Sequence, residues 1–395
     1  MKADITRLSS LTYRIMVTGS VNSNTVSDLE TTVNDVTGDS LPTNIQFDFE
    51  KVDYISSVGL RFLLKLRKKG IAIQITQVSP EVYEVFDMTG FTDMFDVQKK
   101  FRNVDITGCD MIGCGANGMV YRIDSETVLK LYTRTDVLPE IRAEQEHAKY
   151  ALQAGIPTAI SFDIVKAGEK YGSVFELIAA RSVASILEED PEEAESYIAS
   201  YVELLKCVHA IPYKETAKVS LPDAQLKFRD YIETIAGYAS NQTAALLREF
   251  ADRIPTQRTV LHGDCQPGNV MVTKDELLFI DMDTLSFGNP LFDLGYLYST
   301  LIVYPQIPTM RKLFQISQDV ASEFWQKMFD LYYEDDSAEE RAHLKTMCTI
   351  ISHVQVLRYL IRHPDQGTEE QKRIVSGKLQ KLLDNYFSRE YLNFR

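Results

Sequence analysis

An Asp and an Asn five residues apart, followed by a second Asp closing an apolar run, form a set that could move a phosphoryl group. Asp264 and Asn269 share the polar, glycine-containing stretch Leu261-His262-Gly263-Asp264-Cys265-Gln266-Pro267-Gly268-Asn269, and Asp281 ends Leu277-Leu278-Phe279-Ile280. Phosphoryl transfer needs one carboxylate to orient a hydroxyl and accept its proton, and an Asn plus an Asp to hold Mg²⁺. The elements between them must bring these side chains together. Val270-Met271-Val272 and Leu277 to Ile280 read as two short strands around Thr273-Lys274-Asp275-Glu276. A hairpin of that size returns the chain, so Asp281 comes back beside Asn269.

A second group of residues lies upstream. Gly113-Cys114-Gly115-Ala116-Asn117-Gly118-Met119-Val120 fits G-x-G-x-x-G-x-V. It sits between two strand-like runs and not before a helix, so it fails the context of a dinucleotide-binding turn. A hairpin whose glycines admit backbone N–H groups to the phosphates of ATP fits instead, with Gly113, Gly115, Gly118 and Val120 as nucleotide-binding candidates. Thr127-Val128-Leu129-Lys130-Leu131-Tyr132 follows as a strand, with Lys130 placed to pair with the α- and β-phosphates. The helix expected from Pro139 to Leu152 carries Ile141, Ala148, Ala151 and Leu152 on one face, and Glu144 falls on that face. A carboxylate on a buried face wants a cation, and Lys130 is the obvious one. Glu146 is the alternative partner.

The segment His262-Gly263-Asp264, four residues, Asn269, then Ile280-Asp281 resembles the catalytic segment of the aminoglycoside phosphotransferase and choline kinase family. Protein kinases share that fold and carry His-Arg-Asp with the same Asp-to-Asn spacing. The resemblance continues through Asp283, Gly288, Pro290 and Asp293, with Met282 in place of the family's Trp and Asn289 in place of its Asp. It implies a bilobal kinase-like domain over 104–395, with a β-rich lobe to about 178 and a helical lobe from about 179. It further implies Asp264 as catalytic base, Asn269 and Asp281 as metal ligands, and Asp293 as an anchor below the loop. Backbone groups near Glu176 and Ile178, in Val174-Phe175-Glu176-Leu177-Ile178, would bind adenine. His209 resembles the family's helix-terminal His, and both it and His262 read as structural. The helices after residue 300, among them the apolar run Thr346 to Arg362, would shape the acceptor pocket.

The first hundred residues alternate strand and helix patterns. Ile5 to Val17 holds two short alternating runs, and Ile45-Gln46-Phe47-Asp48-Phe49 alternates strictly. Gly59 to Lys69 reads as a helix ending in basic residues, which suit its dipole. Ile71, Ile73 and Ile75 mark another strand, and Ser79-Pro80-Glu81 starts another helix. The outcome is a small α/β layer domain over 1–99. Val52-Asp53-Tyr54-Ile55-Ser56-Ser57-Val58-Gly59-Leu60, with Ser79-Pro80-Glu81-Val82 and Met88-Thr89-Gly90-Phe91, resembles a STAS domain, the module of anti-sigma factor antagonists. The family's phosphorylatable Ser falls on Ser57, with Ser56 in place of the preceding Asp and Val58 in place of the second Ser. Ser56 and Ser57 equally suit a helix N-cap.

A chain of 395 residues exceeds one typical core. No apolar run is long enough to cross a bilayer, and Met1-Lys2-Ala3-Asp4 leads straight into an alternating pattern without a secretory leader. Five scattered cysteines fit neither a disulfide framework nor a zinc pattern, which suggests a cytoplasmic protein. A net charge of −14 argues against nucleic acid as a partner. The expected activity is ATP- and Mg²⁺-dependent phosphoryl transfer to a hydroxyl of a small molecule, with the STAS-like domain available to a protein partner. Two alternatives stand beside it: a protein serine kinase acting on a STAS domain, Ser57 included, and a nucleotide-sensing pseudokinase scaffold.

Overall fold

Two apolar periodicities in the sequence build two separate cores. The computed structural model describes all residues except 10, 38–43, 116–117, 191, 216–218, 309, 311–315 and 389–395. Its contacts divide into one unit over Met1–Val104 and another over Asp105–Arg395.

In the first unit, strands Lys2–Arg7, Thr12–Thr18, Asn44–Lys51, Ala72–Val78 and Asp96–Lys99 lie side by side in chain order. The first pair is antiparallel and the rest are parallel. Parallel neighbours need crossover connections, and helices Val26–Thr37, Ser57–Lys68 and Pro80–Met88 supply them. Ile15, Val17, Leu29, Phe47, Phe49, Leu63 and Phe86 form the core between the layers. This is the α/β layer architecture expected. One departure lies in the third strand, where Asp48 is buried and not solvated, because Arg14 bonds it across the sheet. Another lies at the helix Ser57–Lys68. Ser56 occupies the cap position in extended backbone, but its hydroxyl makes no capping bond and is buried without a partner. Ser57, the first residue of the helix, is exposed.

In the second unit, strands Asp110–Cys114, Gly118–Arg122, Thr127–Tyr132, Lys170–Glu176 and Ser161–Ala167 pair antiparallel in that spatial order. Helix Leu138–Gln153 packs behind them. The remainder is mostly helical, with long buried faces on Ala194–Ala210, Ala224–Ala236, Gln318–Tyr332 and Ala338–Arg362. The last of these begins well before the apolar run that betrays it. Ser337 and Glu340 form a capping box that starts it at Ala338. Two small antiparallel sheets interrupt the helices: Arg181–Ser182 with Val270–Val272 and Leu277–Phe279, and Thr259–Leu261 with Ser286–Gly288. This bilobal, kinase-like arrangement matches the fold class expected. Among the described residues no helix is long and apolar enough to cross a membrane.

Gly59 shows how closely the first core is fitted. A Cβ there would stand 2.8 Å from Ile55 Cγ1 and from Val21 Cγ1. Overpacking of this kind costs about 1–3 kcal/mol. Gly59→Ala should therefore speed amide hydrogen exchange throughout residues 1–104, measured by peptide mass spectrometry. Unchanged exchange there would refute the close fit.

Candidate active site

Lys130 sits at the middle of the site. Strand period two turns Lys130 and Tyr132 to one side and Leu129 and Leu131, both buried, to the other. The Lys130 Nζ donates to Glu144 Oε1 at 2.8 Å and to the Asp281 carboxylate. Glu144 is 3% exposed and takes a second bond from the Tyr132 hydroxyl. Glu146 lies on the surface and pairs with Lys149 at 2.9 Å, so the choice between the two glutamates falls on Glu144. Burial disfavours the Lys130 charge, but Asp281 and Glu144 outweigh it and hold the amine firmly protonated.

The loop after Thr259–Leu261 is pinned from below by Asp293. Its carboxylate accepts the N–H groups of His262 at 2.8 Å and Gly263 at 2.7 Å, and His209 Nε2 lies 3.1 Å away. Burial opposes the Asp293 charge, yet these partners, His209 foremost, hold its carboxyl below the usual range. His209 is fixed in turn by the Tyr332 hydroxyl at 2.7 Å. Gly263 has φ +84°, and a Cβ there would stand 2.3 Å from the Thr284 carbonyl oxygen, so only glycine fits. His262 is buried against Phe279, and its Nδ1 accepts the Asp264 N–H at 3.2 Å. It thus packs and orients the loop.

The strands Val270–Val272 and Leu277–Phe279 make the returning hairpin, and the Ile280 N–H closes it on the Asn269 carbonyl at 2.9 Å. Asn269 Nδ2 donates to Asp264 Oδ2 at 2.9 Å, and Gln266 Nε2 donates to the same oxygen at 3.2 Å. Asp281 adopts φ +65°, ψ +63°, a left-handed conformation uncommon outside glycine, asparagine and aspartate. Burial, then the charge of Asp281, push the Asp264 carboxyl up to about 6. The same two causes push Asp283 up to about 7. Among the described residues no three His, Cys, Asp or Glu side chains form a protein-only metal cage. Mg²⁺ is ordinarily held by one or two carboxylates together with substrate phosphates. An amide oxygen on Asn269 and a carboxylate on Asp281 suit that style of site.

A family model described as the phosphotransferase enzyme family matches residues 112–345, more than half of the chain. The chain belongs to that family. It is a kinase-type phosphotransferase, and a second model, the STAS domain, matches residues 6–105. Solved structures similar to this phosphotransferase include the GDP complex of wild-type aminoglycoside 2'-phosphotransferase-IIIa, at 13% identity and TM-score 0.48, covering 78% of this chain and 98% of that one. The ADP-bound aminoglycoside phosphotransferase APH(2'')-Ib matches at 12% and 0.47, over 70% and 94%. A choline/ethanolamine kinase family protein from Mesorhizobium loti matches at 13% and 0.46, over 71% and 89%. No protein of curated function matches.

The phosphotransferase's remaining predicted positions are placed as follows. Gly113 and Val120 face each other across the glycine-rich hairpin, where a Gly113 Cβ would stand 3.4 Å from Val120 Cβ. Gly118 cannot hold a side chain, since its Cβ would stand 2.3 Å from the Leu131 carbonyl oxygen, whereas Gly115 borders open space. Ala116 and Asn117 lie outside the described residues. At the expected hinge, the Glu176 N–H is already taken by the Ile160 carbonyl at 3.1 Å, and its carboxylate accepts the Ile160 N–H at 2.8 Å. The Ile178 N–H has no partner among the described residues. Sequence reasoning missed Tyr132 and Gln266 as site residues. Strand alternation from Lys130 was the signal for the first, and proximity to Asp264 the only hint of the second.

Removing Asp293 would leave His209 and two N–H groups without their acceptor. Breaking a buried pair costs about 3–5 kcal/mol, so Asp293→Ala should shift the urea midpoint by that equivalent. A carboxyl with a lowered folded pKa contributes stability above its unfolded pKa, about 3.9, and loses it as pH falls through the folded value. The gap between parent and variant should therefore persist at neutral pH and shrink only below about pH 4, as read from urea titrations at several pH values.

Proposed function

We propose that this phosphotransferase uses ATP and Mg²⁺ to phosphorylate a hydroxyl of a small molecule. The observation that carries the proposal is the placement of Lys130 between Glu144 and Asp281, with Asp281 returned by its hairpin to the Asp264–Asn269 pair. Lys130 would hold the α- and β-phosphates, steadied by Glu144. Gly113, Gly115 and Gly118 would let the hairpin backbone approach them, with Val120 beneath the adenosine, and the Ile178 N–H and the Glu176 carbonyl would face adenine. Asn269 and Asp281 would hold Mg²⁺, which neutralises charge on the phosphoryl group in flight. Asp264 would accept the acceptor's hydroxyl proton as the oxygen bonds to the γ-phosphorus. The bond from that phosphorus to the β,γ-bridging oxygen breaks, and ADP leaves. A carboxyl at about 6 is mostly ionised at neutral pH and more basic than an ordinary carboxylate, as a base for this step should be. Free cysteines, three of them at or near the surface, suit a cytoplasmic setting.

A second role belongs to the STAS domain. Ser57 is exposed at the start of its helix, where a phosphate's charge is well tolerated. Phosphorylation there would disrupt docking of a protein partner built for a neutral hydroxyl.

Ligand that binds only the folded state raises stability by about 2.7 kcal/mol at a hundredfold excess over Kd. MgATP should therefore raise the melting temperature of the parent protein, and Asp281→Asn should lose most of the Mg²⁺-dependent part. A parent melting curve indifferent to millimolar MgATP would sink the proposal. Asp264→Asn should keep the nucleotide shift but lose ~10²-fold or more in turnover, measured as ADP release with an acceptor. For the STAS domain, peptide mass spectrometry after MgATP treatment should find phosphate on Ser57 and none in Ser57→Ala. Phosphate confined to Ser56, or absent from purified and cell-derived protein alike, would leave Ser57 a helix residue only.

A further inference from the structure

Beyond the catalytic loop, helices Ala224–Ala236 and Ala338–Arg362 pack together and bring two cations to one place. Lys227 and Tyr231 are one turn apart on the first helix, and Arg358 lies on the second. The Arg358 guanidinium stacks over the Tyr231 ring at 3.9 Å from its centroid. Its Nε is buried without a hydrogen-bond partner among the described residues. The hydroxyl of Tyr296, a residue only 8% exposed, is likewise buried without a partner among the described residues, and the Tyr296 ring lies 6.5 Å from that of Tyr231. Tyr304 completes the group, packed on Tyr359 at 5.5 Å. Neither Lys227 nor Arg358 forms an ion pair with a carboxylate among the described residues.

The two helices pack on elements that flank the proposed base, Ala224–Ala236 on Ser286–Gly288 and Ala338–Arg362 on Leu291–Tyr298, the helix that carries Asp293. Tyr304 feels the charges of Arg358 and of Asp264. Lys227 feels those of Arg358, Asp293 and Asp283. Of these acids, Asp293 is already committed to His209, His262 and Gly263. Burial, then repulsion from Arg358, draw the Lys227 pKa down despite both carboxylates. Half-buried cations and donors with no acceptor of their own are costly unless an anion joins them.

We propose that Lys227, Arg358 and the Tyr296 hydroxyl form the anion-recognition end of the acceptor site, so that the phosphoryl acceptor is a hydroxy compound bearing a carboxylate or a phosphate. The inference rests on the phosphotransferase reading of Asp264. A polycationic acceptor would meet two like charges here and be repelled, whereas an acid or a phosphate ester would find a guanidinium, an ammonium and a phenol. Its hydroxyl would then face Asp264 while its charge lies against the two helices, flanked by Tyr231, Tyr304 and Tyr359.

Two measurements on the full chain test this. In the first, inorganic phosphate is titrated into the protein saturated with a non-hydrolysable MgATP analogue, and the melting temperature is followed. Phosphate should raise it in the parent, while Lys227→Met and Arg358→Met should lose that rise and keep the rise given by the nucleotide analogue itself. Equal phosphate protection in parent and variants, or none in the parent, overturns the anion site. So does loss of the nucleotide shift in the variants, which would assign the two cations to ATP. In the second, ADP release is compared for matched acceptors: glycerol with glycerate, glucose with gluconate and with glucose 6-phosphate, and the polycation kanamycin. The acids or the phosphate ester should be preferred, the better of the two identifying the anion, and Arg358→Met should raise KM for the preferred one by about tenfold or more. Preference for a neutral or cationic member overturns the inference and leaves the phosphotransferase reading standing. That reading fails separately, if the parent shows no MgATP melting shift.

Discussion

A buried carboxylate keeps its charge only where donors are brought to it. Asp293 imposes that condition on the second unit. Its two oxygens collect the N–H groups of His262 and Gly263 and one nitrogen of His209, so a helix that begins at Leu291 and a loop that follows Leu261 are tied at one point. Everything above inherits its position from this tie. Gly263 must pass under the Thr284 carbonyl, the Thr284 hydroxyl bonds back to the His262 carbonyl at 2.9 Å, and Tyr201 reaches the Cys265 carbonyl from another helix. The backbone around Asp264 is thereby held from three sides, while its carboxylate takes the Asn269 and Gln266 amides.

Above the tie, charge is deliberately out of balance. Glu144 and Asp281 flank the Lys130 ammonium, and Asp264 and Asp283 lie within reach of the Asp281 charge. Low-dielectric surroundings make such an excess of carboxylates unfavourable, which is why Asp264 and Asp283 hold protons more tightly than usual. A divalent cation accompanied by phosphates, as proposed, would relieve that imbalance. The opposite excess lies a short way off, at Lys227 and Arg358. The region thus presents an acidic end and a basic end, and orientation of a bound molecule would follow from charge before any shape is considered.

Much of this was legible in the sequence because it depends on short-range rules. A two-strand hairpin between Asn269 and Asp281 has one sensible outcome, and the burial of Glu144 follows from helical period. Strand and helix alternation in the first hundred residues likewise announces a layered sheet. What was not legible depends on contacts made late in folding. The left-handed backbone of Asp281 is permitted by an aspartate but not announced by one, since most aspartates do not adopt it. Ser56 has the residue type of a cap, yet its hydroxyl is turned into the core and caps nothing. The burial of Asp48 depends on Arg14, thirty-four residues away. Lys227 and Arg358 sit on separate helices more than a hundred residues apart in sequence, and only tertiary packing reveals that they share a neighbourhood.

The bond from Lys130 to Asp281 has a further consequence. Phosphates that take the ammonium must draw it away from this carboxylate, and a metal that takes the carboxylate must release the ammonium. In the proposed site each guest would therefore free the partner that the other requires. Their affinities would be linked in both directions by the same free energy, as thermodynamics demands of any coupled pair. Metal and nucleotide would then bind cooperatively through the exchange of a single ion pair, with no hinge, lid or change of fold involved.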